Sequence, residues 1–218
     1  MSTPRDRNEE NRTGLVKFAR VFSNVVSPPV MFAILGIVFA FRELTPLLQG
    51  GRLFWTGMGW AAVYGLLASL GPILVVLYLL KTGRISELHM SNTSERHIPY
   101  ATAVIFAAIA FGLISWFDGP ELLRCLALFN IVELIALALI NIYWLISIHT
   151  TGIMATFVLI GLVFGWDASL IAVLPFVAAV NWVRLYLKRH TPAQVTAGMV
   201  LGVVSVLSLT LVGCFGGG

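Results

Sequence analysis

Apolar residues in this chain fall in long runs separated by short polar turns, rather than alternating or forming a stripe opposite a charged face. A helix needs about 17 to 25 mostly apolar residues to cross the roughly 30 Å hydrocarbon layer of a bilayer. Runs of about that length cover 21–41, 54–80, 98–117, 125–148, 150–166, 168–183 and 191–215. The second carries no charge. The first is entered through Pro28 and Pro29, a break that would make it partly interfacial, and the sixth is short. The fifth and sixth form a hairpin turning at Gly165, Trp166 and Asp167. Leu15, Val16, Phe18 and Phe22, with Lys17 and Arg20 among them, read as a short amphipathic lead in the headgroup region. The pattern predicts an all-α polytopic membrane protein, a helical bundle of six to seven spans. Residues 1–20 form a cytoplasmic, partly amphipathic lead, and 21–218 a single transmembrane helical domain.

Composition excludes a soluble domain. Hydrophobic residues make up 58% of the 218 and charged residues 11%, with a mean hydropathy of +0.91, against about 25% charged in soluble proteins. The start of the chain has basic residues before an apolar run, as a secretory signal does. Glu9, Glu10 and the lack of a small-residue cleavage site make it a lead into the first span instead. Seven crossings sort the loops onto two sides. Arg5, Arg7, Arg12, Lys17, Arg20, Lys81, Arg84, Arg96, Arg184, Lys188 and Arg189 fall with the N-terminus, and only Arg42, Arg52 and Arg124 on the other side. Positive residues favour the cytoplasmic side, so the N-terminus and the loops 81–99, 147–152 and 184–194 are expected to face the cytoplasm, in a bacterial inner membrane. Cys125 and Cys214 lie inside apolar runs with neither a disulfide framework nor a metal spacing, and are expected to be packing residues. Gly161 with Gly165, and Gly198 with Gly202, have the spacing that lets helix backbones approach inside one chain.

All four histidines, His89, His97, His149 and His190, also fall on the N-terminal side. His97 reads as an interfacial side chain with its polar tip in water. The stretch RLYLKRHTPAQ, 184–194, sets Arg184, Lys188, Arg189 and His190 directly against the last apolar run. A membrane helix tolerates such a cluster only at its end, as an anchor or the edge of a site. Within it, Arg184 is followed by five residues, His190, three more and Gln194. Ser147, Ile148 and His149 open the fifth span, and His89 is followed by six residues, Arg96 and then Pro99. In order and side these groups resemble the three signatures of the type 2 phosphatidic acid phosphatase superfamily. Those signatures are Lys, six residues, Arg-Pro; Pro-Ser-Gly-His; and Ser-Arg, five residues, His, three residues, Asp. The segment HTPAQVTAG looks like the form found in a divergent bacterial branch, and the resemblance covers roughly residues 81–202.

The resemblance implies a phosphatase-family-like core and a membrane-embedded phosphatase. Its substrate would be a lipid phosphate or diphosphate, an isoprenoid diphosphate or a phosphatidate-like lipid. Arg96, Arg184 and His89 would bind phosphate, the arginines through planar forks that match its oxygens. His190 would attack phosphorus to form a phosphohistidine, and His149 would protonate the leaving oxygen and later activate water. Gln194 and Ser147 would orient the site. No metal, no cofactor and no nucleic acid are implied, and the partners are membrane lipids. The chain departs from the family at four points. Gln194 replaces Asp, and its amide oxygen accepts the same hydrogen bond without supplying charge. His89 replaces Lys, so that contact titrates near neutral pH. Ile148 replaces Gly, and Pro99 comes two residues late. Gln194 and His89 keep open a binding-only relative that holds a lipid phosphate without hydrolysing it. Glu133, with Asn130 one turn away and Asn141 two turns beyond, keeps open a small-solute transporter. The alternative for Glu133 is a hydrogen bond to Asn181 or to a hydroxyl on a neighbouring helix.

Overall fold

A computed structural model describes residues 14–44, 51–86 and 93–216, and all regular structure among them is helical. In chain order the helices are α1 Gly14–Val25, α2 Pro28–Leu44, α3 Gly51–Tyr64, α4 Gly71–Lys81, α5 His97–Trp116, α6 Glu121–Tyr143, α7 Ile148–Phe164, α8 Trp166–Ala172, α9 Leu174–Tyr186 and α10 Pro192–Thr210. A π-helical stretch, Gly65–Leu70, joins α3 to α4, and a 3-10 turn, Thr93–Arg96, leads into α5. Among the described residues, four helical stretches are long and apolar enough to cross a membrane: Trp55–Lys81, α5, α6 and α10. The count reaches six if α1 with α2 and α8 with α9 are each one broken span. α7, at 17 residues, is apolar but shorter. The expected runs are therefore present as helices; length and composition support four to six of them as spans, and a seventh crossing would be the shorter α7.

Proline accounts for the breaks. Pro28 opens α2, and the chain bends by 46° between α1 and α2, because proline has no N–H to give the preceding turn. The sixth run, expected as one piece, is two helices bent by 44°, with Pro175 in the first turn of α9. Pro72 is handled differently. The widened π turn of Gly65–Leu70 lies just before it, and the helix carries on as one stretch to Lys81. A local π turn is a known way for a helix to absorb such an interruption.

Large apolar side chains line the outside of the bundle: Leu74, Ile105, Leu139, Val200 and Val204 are all exposed. This is the surface expected where the solvent is hydrocarbon. The inside is packed with Phe39, Tyr64, Leu126, Phe129 and Leu159, all fully buried. Two tyrosines are stitched into α6. Asn130 Nδ2 donates to the Tyr64 hydroxyl at 2.6 Å, and Asn141 Nδ2 to the Tyr100 hydroxyl at 2.8 Å. Glu133 is buried beside them, and its Oε1 has no hydrogen-bond partner. Oε1 thus meets neither Asn181, whose Nδ2 donates to Met199 Sδ at 3.0 Å, nor a hydroxyl on a neighbouring helix, the two partners expected for Glu133.

α7 and α10 pack backbone against backbone. A Cβ on Gly198 would strike Thr150 Oγ1 and lie 2.9 Å from the Ser147 carbonyl oxygen, and one on Gly202 would strike the Thr151 carbonyl. At the far end of the bundle, Glu43 at the end of α2 accepts from the Glu121 and Leu122 N–H groups at 2.7 and 2.8 Å, closing the start of α6. There Cys125 and Cys214, expected to be packing residues, form a disulfide with their Cα atoms 5.6 Å apart. They are 89 residues apart in sequence, and only the folded bundle brings the start of α6 to the end of α10.

Candidate functional site

The spacing of Arg184 and His190 is the length of a helix end, a turn and a cap. α9 closes with Lys188 N–H on the Leu185 carbonyl at 2.9 Å and Arg189 N–H on the Arg184 carbonyl at 3.1 Å. Lys188 stands at φ +51°. This is a Schellman turn with a left-handed residue just past the helix. It folds the chain back so that His190 Nε2 lies 3.2 Å from Arg184 Nη2. Thr191 then caps α10. Its Oγ1 accepts from the Gln194 N–H at 3.3 Å, and Gln194 Oε1 accepts from the Thr191 N–H at 2.9 Å. This reciprocal capping box is followed by Pro192 at the first helical position.

The start of α7 is bound to the start of α10. Ser147 N–H meets the Gln194 carbonyl at 3.4 Å, Thr150 Oγ1 reaches the Val195 carbonyl at 3.3 Å, and the missing side chain of Gly198 lets the two helices close. Ser147 itself is a buried cap. Its Oγ accepts from the Thr150 N–H, and its carbonyl accepts from the Thr150 and Thr151 hydroxyls. His149, in the first turn of α7, has Nε2 3.2 Å from the Ser23 carbonyl oxygen. A carbonyl only accepts, so Nε2 carries the hydrogen. The Ser23 hydroxyl accepts from Arg184 Nη1 at 3.1 Å. Arg96 stands at the start of α5 with its side chain at the Tyr100 hydroxyl.

Arg96, His149, Arg184 and His190 meet at one cavity of about 430 Å³. Its remaining walls include Pro28, Pro72, Ile73, Val76, Leu77 and Leu134. α5, α7 and α10 all begin at this end, so three positive helix termini add to the two guanidinium groups. Arg184 is only 5% exposed and its Nε has no hydrogen-bond partner. Among the described residues no carboxylate pairs with Arg184; Arg124 pairs with Glu121 at the far end. His190 lies in the turn outside the helices. Burial, then the nearby charges of Arg184 and Arg96, push its pKa down to about 4, although the Leu145 backbone and the Gln194 side chain favour the protonated ring. The ring is neutral at physiological pH, with Nε2 accepting from Arg184. Such a site presents a neutral nitrogen and two cations to an anion.

No protein-family profile, curated protein or solved structure matches this chain. What remains is the chain's own geometry. Of the seven residues the sequence assigns to the site, Arg96, His149, Arg184 and His190 line the cavity. Ser147 and Gln194 are caps that hold the starts of α7 and α10, and His89 lies outside the described residues. His97, the first residue of α5, is exposed. Among the described residues no group of three or more His, Cys, Asp and Glu is placed to hold a metal. Sequence reasoning missed Ser23, which shares a buried side of α1 with Ala19, and Tyr100, one turn after Arg96. The capping box was written in the sequence as Thr191-Pro-Ala-Gln194.

Proposed function

We propose that this chain is a membrane-embedded phosphatase acting on a lipid phosphate or diphosphate, through a phosphohistidine on His190. The observation that carries this reading is Arg184. It is a buried guanidinium on a cavity wall with an unsatisfied N–H and no carboxylate among the described residues. Burying a charge without a counter-charge costs several kcal/mol, and a phosphate between Arg184 and Arg96 supplies the missing one. The phosphate displaces the Arg184 contact from His190 Nε2, which attacks phosphorus as its bond to the leaving oxygen breaks. Protonated His149 gives its proton to that oxygen, releasing a lipid alcohol or a lipid monophosphate. Water then attacks the phosphohistidine, loses a proton to His149 and breaks the P–N bond, freeing inorganic phosphate. Positioning and fixed charge carry the rate. The apolar walls suit the first part of a lipid chain, and an isoprenoid diphosphate or phosphatidate-like lipid fits a cavity with one polar end.

The chain is read as crossing a bacterial inner membrane seven times, with the cavity end in the cytoplasm. Two independent features support that orientation: the excess of Lys and Arg at the cavity end, and a disulfide at the opposite end, where an oxidising compartment would form it. Purified protein in detergent is expected to release inorganic phosphate from such lipids in the presence of a chelator, and His190→Ala is expected to release none. Release by His190→Ala equal to wild type, or none by wild type across the panel, rejects the assignment. One observation favours a second reading, a relative that binds lipid phosphate without cleaving it. Gln194 brings no charge to the histidine, and its Oε1 is already engaged by the Thr191 N–H. In that case wild type retains a lipid phosphate on a vesicle-binding assay and releases nothing.

A further inference from the structure

α1 faces two environments. Leu15, Phe18, Val21 and Val25 are 49–61% exposed on one side, and Ala19 and Ser23 are buried on another, where α1 packs on α9. Lys17 and Arg20 are exposed along the third. An apolar face flanked by cations is the signature of a helix lying in a bilayer surface with anionic headgroups, and α2 leaves it directly at a 46° bend to enter the bundle. From its buried side Ser23 makes two contacts with the cavity residues. Its hydroxyl accepts from Arg184 Nη1 at 3.1 Å, and its carbonyl from His149 Nε2 at 3.2 Å.

We propose that Ser23 is a positioning residue for Arg184 and His149, held in register by α1 lying in the lipid surface. This rests on the phosphate reading of the cavity for its purpose, and on the geometry alone for its existence. The guanidinium is a rigid fork. With Nη1 fixed by Ser23 and Nη2 on His190, its plane is set and the unsatisfied Nε–H is left for a ligand. Without the hydroxyl, one arm of the fork loses its partner in a buried setting, and the group is free to turn away from His190. The helix that reads the membrane surface would thus also set the geometry of the site.

The test uses the full chain in bilayer discs containing phosphatidylglycerol. The ring titration of His190 is followed by NMR in wild type, Ser23→Ala and Ser23→Thr, with helicity by circular dichroism to exclude misfolding. Burial holds the His190 pKa down most and the Arg184 charge next, so an Arg184 released by Ser23→Ala lets the titration rise part of the way up from about 4, and Ser23→Thr returns it. An unmoved titration in folded Ser23→Ala overturns the positioning role. Tungstate affinity is measured in parallel and is expected to fall about tenfold in Ser23→Ala. Should wild type bind no tungstate while the titration still moves, the phosphate reading fails and the positioning role stands. A spin label on Phe18→Cys is expected to be relaxed more by dissolved oxygen than by a water-soluble nickel chelate. The reverse order, or label–label coupling between copies, overturns the lipid seat of α1.

Discussion

A guanidinium held among helices with one N–H unsatisfied is stable only because the fold around it forces it there, and an anion relieves it. Replacing Arg184 by Lys keeps the charge and loses the fork, so tungstate affinity should fall about 10- to 100-fold while the protein stays folded. A titration of the purified variant checks this. For His190 the sign follows from a folded pKa near 4 against 6.5 for the free ring. Above about 6.5 the ring is neutral folded or unfolded, so it imposes no penalty on folding. As pH falls toward 4 the unfolded ring takes a proton the folded one refuses, and stability declines through that window. Thermal unfolding between pH 7 and 4 should therefore slope downward in wild type, and less steeply in His190→Gln. The acid limb of phosphate release should not contain a group titrating at 6.5 that belongs to His190. At this scale much was legible in the sequence. The spacing of Arg184 to His190 and the position of His149 pointed to residues that do line one cavity. Ser23 was not legible, because its partners are 126 and 161 residues away.

Among the elements, the turn after α9 and the seam between α7 and α10 set the site. Lys188 occupies a left-handed conformation that an L-residue adopts at a cost of about 1 kcal/mol. Lys188→Gly should raise thermal stability slightly with release unchanged. Lys188→Val, β-branched and less tolerant of that conformation, should lower both, by re-aiming His190. Gly198→Leu should be far more damaging, destabilising by about 1 to 3 kcal/mol or more, since Thr150 and the Ser147 carbonyl occupy the space. Unfolding in detergent measures each. The helical runs could be read from hydropathy because lipid-facing and core residues are both apolar. For the same reason hydropathy hid the 44° break before Pro175. The capping role of Gln194 was visible as a motif but passed over because its spacing also placed it at the Asp position of the signature it resembles.

At the level of the whole molecule, two ends of opposite character emerge: one cationic and cavity-bearing, the other closed by Glu43 on α6 and by the disulfide. Cys125→Ser should lower stability by about 2 to 4 kcal/mol, seen as an earlier thermal transition that reductant reproduces in wild type. In intact cells a reporter fused after Gly218 should read as periplasmic, and an impermeant thiol reagent should label the two cysteines only after reduction from outside. The reporter outcome follows from the span count alone, whereas the labelling could not be drawn from cysteines read as packing residues, because a pairing across 89 residues is a property of the fold. That link closes α6 through α10 into a covalent ring, with the exposed Lys188 and the neighbouring Arg189 on its rim. Trypsin cutting there would open the ring without parting the chain. The nicked protein would migrate as one band on a non-reducing gel and fall into two only when the sulfurs are separated.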